Sequence, residues 1–114
     1  MSTKGRDYWG PAVWRTIHSF AAAYTPDKKQ YVKPFLKSTG ALLPCEDCSE
    51  HMPENMKILN VDDYLDDNHS LFLWSYMFHD LVNKQIGKTS PSYETVKVEY
   101  FNSLGEKCAS CSTN

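Results

Sequence analysis

The 114-residue chain holds no apolar run approaching the roughly 18 residues a membrane-spanning helix needs, so no segment is read as crossing a bilayer. It has no basic cluster. Twelve lysines and arginines stand against 14 acidic residues, a net charge of -2, which excludes a binder driven by phosphate neutralisation. The opening Met-Ser-Thr-Lys-Gly-Arg-Asp contains no apolar segment of the secretory-signal kind. Alternating apolar and polar stretches, an Asn-Gly hairpin, internal repeats and a βαβ rhythm are all missing, so strands are not expected. What is present is 41% hydrophobic and 23% charged, a globular composition of one-domain length. Aromatics reach 13%, enough for a sizeable core, a lined pocket, or both.

There is also no stray cysteine. All four fall into two C-x-x-C pairs, Cys45/Cys48 and Cys108/Cys111. The loop that a C-x-x-C disulfide closes is tiny and constrains the unfolded chain little, which favours a redox role over a structural one. Pro44 precedes a helix start, placing Cys45 at the N-terminus and Cys48 one turn in, where unpaired N–H groups favour thiolate. Glu46 and Asp47 act in the opposite direction. The metal reading joins both pairs into one four-thiolate zinc site in a helical interaction module, with His51 and His79 as further ligand candidates. The pairs stand much further apart than the about 15–20 residues that zinc ribbons use. An inert pair in a plain helical interaction domain is the third reading.

The remaining periodicity is helical. Residues 10–24 place Val13, Trp14, Ile17, Phe20, Ala21 and Tyr24 on one face, with Pro11 in the first turn. A second helix spans 28–42, with Tyr31, Phe35, Leu36 and Leu42 inward and Pro34 near its start or at a kink. A third spans 45–59, interrupted or not by Pro53. A fourth, 70–87, is capped by Asn68 or Ser70 and ended by Gly87; on it Phe72, Tyr76, His79 and Asn83 share a face. A fifth, 91–103, carries Tyr93, Val96 and Tyr100. The expected architecture is all-α, a small helical bundle, and a thioredoxin fold is disfavoured. Trp14/His18 on the first helix and Tyr76/His79/Asn83 on the fourth outline a slot for a planar cofactor or, alternatively, ordinary core.

Three segments together carry a family resemblance. Trp9-Gly10-Pro11-Ala12-Val13-Trp14-Arg15-Thr16-Ile17-His18 is similar to a W-G-x-x-x-W-x-x-x-H helix, Leu42-Leu43-Pro44-Cys45-Glu46-Asp47-Cys48 to a P-C-x-x-C motif, and residues 74–88 to W-x-x-H-x-H-N-x-V-N-x-x-L-G-K. In that order they resemble the Erv/ALR family of FAD-linked sulfhydryl oxidases, and the degeneracy resembles compact members from large DNA viruses. The resemblance implies a four-helix bundle with a short fifth helix, FAD as cofactor, and a homodimer. It implies Cys48 beside the flavin and Cys45 as the cysteine that exchanges with incoming dithiols. It implies FAD contacts from Arg6, Gly10, Trp14, His18, Tyr76, His79, Val82, Asn83, Lys88 and Tyr100. Protein dithiols would be the substrates and dioxygen the acceptor, giving hydrogen peroxide.

The chain departs from the pattern at Met77 and Asp80, where the family has His and Asn. Tyr76 and Tyr93 stand where cellular members carry a further disulfide, so packing must replace that staple. Residues 1–104 are read as the flavin domain and 105–114 as a tail bearing Cys108/Cys111, which resembles a shuttle pair, an accessory clip or half of a metal site. A further domain in a longer parent protein is also conceivable. The compartment implied is a virion or virus assembly site in host cytoplasm, or otherwise a mitochondrial intermembrane space.

Overall fold

The computed structural model describes residues 5–105, and no strand occurs among the described residues. Five helices form: α1 (Gly5–Ala22), α2 (Lys29–Ala41), α3 (Glu46–Ile58), α4 (Asn68–Gln85) and α5 (Tyr93–Gly105). Short 3-10 turns at Pro26–Lys28 and Val61–Tyr64 join α1 to α2 and α3 to α4. The all-α expectation holds.

α4 is the hub because its apolar residues are too continuous for a single stripe. Leu71, Phe72, Trp74, Ser75 and Phe78 are all buried. α1, α3 and α5 pack against it, while α2 joins the bundle chiefly through α3. Side-chain hydrogen bonds fix these contacts: Trp74 Nε1 donates to the Leu59 carbonyl at 2.9 Å, and Tyr24 Oη donates to the Leu65 carbonyl at 2.9 Å.

The ends of α4 are specified locally. Asp67, rather than Asn68 or Ser70, is its N-cap, accepting the Ser70 N–H at 2.8 Å. Asn68 instead donates Nδ2 to the Ala22 carbonyl at 2.9 Å, which closes the C-terminal end of α1 and ties it to the start of α4. At the other end Gly87 adopts φ 79°, a left-handed conformation natural to glycine. The Lys88 N–H then returns to the Asn83 carbonyl at 2.8 Å and the Gly87 N–H to that of Lys84 at 3.4 Å, the Schellman arrangement. This turn leaves Lys88 Nζ 3.2 Å from the Asp7 carboxylate on α1.

Two expectations need correction, and the continuity that Pro53 left open is settled. α1 starts at Gly5, so Pro11 is interior to the helix rather than in its first turn. Pro34 and Pro53 likewise sit inside α2 and α3 without ending them. Each proline removes one intrahelical N–H, and all three are exposed, where water can take the freed carbonyl. Finally, Phe20, Tyr31 and Leu42, expected inward, are 59%, 65% and 80% exposed. The reason is that α1 settles on α4 and α5 and α2 on α3, so the apolar faces of α1 and α2 meet only at a shared groove, where Phe20 touches Phe35 at 5.2 Å.

Candidate functional site

Pro44 delivers the chain to Cys45 in an extended conformation, and Cys45 is the N-cap of α3, its Sγ accepting the Cys48 N–H at 3.2 Å. Cys45 and Cys48 are joined by a disulfide with Cα atoms 5.2 Å apart. Both sulfur-bearing residues are half-buried at the positive end of a helix dipole. They differ in outlook. Cys48 lines a large cleft and Cys45 does not.

That cleft, about 620 Å³, runs between α1, α3, α4 and α5. α3 contributes Cys48, Met52 and Asn55 at i, i+4 and i+7, with His51 beside them. α1 contributes Arg6, Gly10, Trp14 and His18; α4 and the turn after it contribute Tyr76, His79, Val82, Asn83 and Lys88; α5 contributes Tyr100. All ten residues picked out as cofactor contacts therefore line one cavity, and Cys48 lines it too.

The wall is flat where rings stack. Trp14 lies over His79 with centroids 3.9 Å apart and planes 6° from parallel. Tyr100 leans against His18 at 5.3 Å. His18 Nε2 is 3.0 Å from His79 Nδ1, and His18 Nδ1 is 2.9 Å from Ser75 Oγ. Burial makes the imidazolium form costly, pushing His18 down to about 3, with the neighbouring His79 adding to the effect. Burial likewise pushes His79 down to about 4, Lys88 adding to the shift and Asp80 opposing it.

Two polar networks set the helices around the cleft. Asn55 and Gln85 exchange a reciprocal pair of amide hydrogen bonds, 3.0 and 2.8 Å, pinning α3 to α4. Asn83 Nδ2 donates to Ser90 Oγ at 3.0 Å, and Ser90 donates to Asp80 Oδ1 at 2.7 Å. Asp80 also pairs with Lys84 at 2.9 Å. These donors, the Ser90 hydroxyl first, hold the Asp80 carboxyl below its usual range. A carboxylate in place of the family's amide is therefore consistent here, because its partners Ser90 and Lys84 both donate.

Ser75, Ser90, Asn55 and Gln85 are residues that sequence reasoning passed over. Asn55 alone had a signal, its helical register with Cys48. Cys108 and Cys111 lie outside the described residues. The disulfide also bears on the zinc reading, since it removes the two thiolates that Cys45 and Cys48 would have to supply.

A flavin dinucleotide asks for flat apolar faces, a cation near its pyrophosphate and room for an extended ligand. The Trp14–His79 stack, Arg6 and Lys88, and the cavity volume, within the about 300–1,000 Å³ of ligand sites, fit that request.

Comparison with known proteins points the same way. Residues 11–101 match the sequence profile of the Erv1/Alr family. The chain is similar to the putative FAD-linked sulfhydryl oxidase 096R of Invertebrate iridescent virus 3, 31% identical over 81% of this chain and 65% of the relative, so it spans about two thirds of that protein's length. It is similar to the FAD-linked sulfhydryl oxidase of African swine fever virus (isolate Tick/Malawi/Lil 20-1/1983), 30% identical over 85% of this chain and 83% of the relative. A plant protein, the FAD-linked sulfhydryl oxidase ERV1 of Oryza sativa subsp. japonica, is 28% identical over 69% of this chain and 42% of its own. A match over residues 11–101, in a chain whose C-x-x-C disulfide sits at a helix N-terminus beside an aromatic-walled cleft, places the chain in the Erv1/Alr family.

Proposed function

We propose that the protein is an FAD-linked sulfhydryl oxidase that turns protein dithiols into disulfides. The observation that carries this reading is the asymmetry of its disulfide, with Cys48 on the wall of the cleft and Cys45 off it.

The chain's own part follows from that placement. A substrate thiolate attacks Cys45 Sγ, the Cys45–Cys48 bond breaks, and Cys48 leaves as a thiolate. The positive end of α3 stabilises that charge, and Cys48, which faces the cleft where Cys45 does not, is left to the cofactor side. The substrate's second thiolate then attacks the substrate sulfur of the mixed disulfide and releases Cys45 as a thiolate. Two electrons must leave the reduced pair for its disulfide to re-form. FAD, when bound, would supply the two-electron acceptor for that pair, with dioxygen as the final oxidant and hydrogen peroxide as its product. Arg6 and Lys88 would hold its pyrophosphate end; Trp14, His18, Tyr76, His79, Val82, Asn83 and Tyr100, with the Gly10 backbone, would line its seat. The Asn55–Gln85 amide pair keeps α3 in register with α4, and so Cys48 in register with that seat.

The test is a visible spectrum and an oxygen electrode. The purified chain is expected to be yellow and to consume oxygen with dithiothreitol. Cys48→Ser should lower turnover by at least 100-fold while flavin stays bound. Colourless protein that takes up no added FAD would end the proposal, and retained turnover in Cys48→Ser would end the role given to that sulfur.

We also infer that the chain works as a homodimer, joined through the apolar groove between α1 and α2.

A further inference from the structure

A line of hydrogen bonds runs from the core of the bundle to the cleft, and its direction can be read. Ser75 is fully buried on α4. Its Oγ donates to the Phe72 carbonyl at 2.7 Å. A serine hydroxyl has one hydrogen, so toward His18 Nδ1, 2.9 Å away, the same oxygen can only accept. His18 Nδ1 therefore carries a proton. His18 is 2% exposed with no carboxylate among its hydrogen-bond partners in the described residues, so the ring is neutral and its Nε2 is a lone pair. His79 Nδ1, 3.0 Å from that lone pair, must be the donor. Burial keeps His79 neutral as well, so with its proton on Nδ1 its Nε2 is left as an acceptor.

We propose that Ser75 is a positioning residue that sets the hydrogen-bond polarity of the cleft, fixing His79 through His18 as the Nδ1–H tautomer so that His79 Nε2 accepts from a hydroxyl or amino group of the bound dinucleotide. The ligand half of this statement rests on the flavin reading above; the tautomer half does not. Trp14, stacked on the His79 ring, holds its plane while Ser75 decides which edge donates. Without the hydroxyl, a proton on His18 Nδ1 would face a methyl group. The cheaper arrangement moves it to Nε2, which then donates to His79 Nδ1 and shifts the His79 proton to Nε2. The cleft would present a donor where it had presented an acceptor.

Long-range ¹H–¹⁵N spectra of the full-length, uniformly labelled protein at neutral pH distinguish the two tautomers of each histidine. The wild type should show Nδ1–H at both His18 and His79. Ser75→Ala should show Nε2–H at His79 and bind FAD at least tenfold more weakly. A wild-type His79 protonated on Nε2 overturns the proposal even if the variant does not fold. So does a folded Ser75→Ala that keeps Nδ1–H at His79. If the wild type binds no FAD, the ligand half falls with the flavin reading, while the spectrum still reports on Ser75 by itself.

Discussion

His18 and His79 are held neutral by burial, and that neutrality has a signature in acid. Their values in the folded chain are about 3 and about 4, against 6.5 for an unhindered histidine. Below pH 6.5 the unfolded chain takes up protons that the folded chain refuses, so stability is complete above that point and declines as pH falls toward 4 and then 3. Each histidine withdraws up to about 1.4 kcal/mol per pH unit across its window. The carboxylates of Asp27, Asp67 and Asp80, held low by hydrogen bonds, add their own loss only at the acid end, below their ordinary value of 3.8. His18→Asn retains a donor toward Ser75 and removes the titration, so its melting temperature should fall less steeply between pH 6.5 and 4 than that of the wild type. Parallel curves would show that burial does not hold His18 neutral. Both histidines were visible in the sequence because they sit in motifs. Ser75 was not, because a small polar residue inside an apolar run has no signature of its own; its meaning depends on a partner on another helix.

Helices are joined here by contacts of very different legibility. Where cellular relatives of the family would carry a second disulfide, the rings of Tyr76 and Tyr93 meet edge to face at 5.3 Å, and Tyr76 Oη donates to the Pro91 carbonyl at 2.5 Å. The missing staple, and its replacement by packing, could be read from the sequence. The contact of α2 with α3 could not. Gly40 is buried at that crossing, and a Cβ placed on it would lie 2.4 Å from Met52 Cγ and 3.0 Å from Met52 Cβ. Helix propensity alone makes Gly40→Ala stabilising by up to about 1 kcal/mol. The collision outweighs it, because atoms so near the Met52 backbone cannot swing aside and α3 must move. Gly40→Ala should therefore destabilise the protein by about 1–3 kcal/mol in urea unfolding. A rise in stability would mean that the two helices pass at a greater distance. The prolines teach the complementary lesson. Pro11 suggested a helix start and Pro53 left the continuity of its helix open, yet each lies within a continuous helix, since the loss of one exposed hydrogen bond is small beside the burial of a whole face.

At the scale of the molecule, the described residues leave an apolar groove uncovered. The groove between α1 and α2, about 370 Å³, is lined by Phe20, Tyr24, Tyr31, Val32, Phe35 and their neighbours, with Lys28 the one charged residue among the described residues that line it. Helical period placed Phe20 and Tyr31 in a core; the structure shows them on an apolar face that the other described residues leave uncovered. In the homodimer proposed above a second copy would supply that layer, because a two-fold axis through the groove sets each patch on its own duplicate, and a near-neutral chain of net charge -2 offers little repulsion. Wild-type protein should then sediment at twice the chain mass. Phe20→Asp puts a carboxylate into the apolar seam and should weaken dimerisation by at least tenfold, about 1.4 kcal/mol. Phe20 is mostly solvent-exposed and does not line the Cys48 cleft, so the variant should keep its helical circular dichroism and its FAD. A wild type that stays monomeric at high concentration would end the homodimer inference, and a Phe20→Asp variant that dimerises unchanged would move the interface off this face.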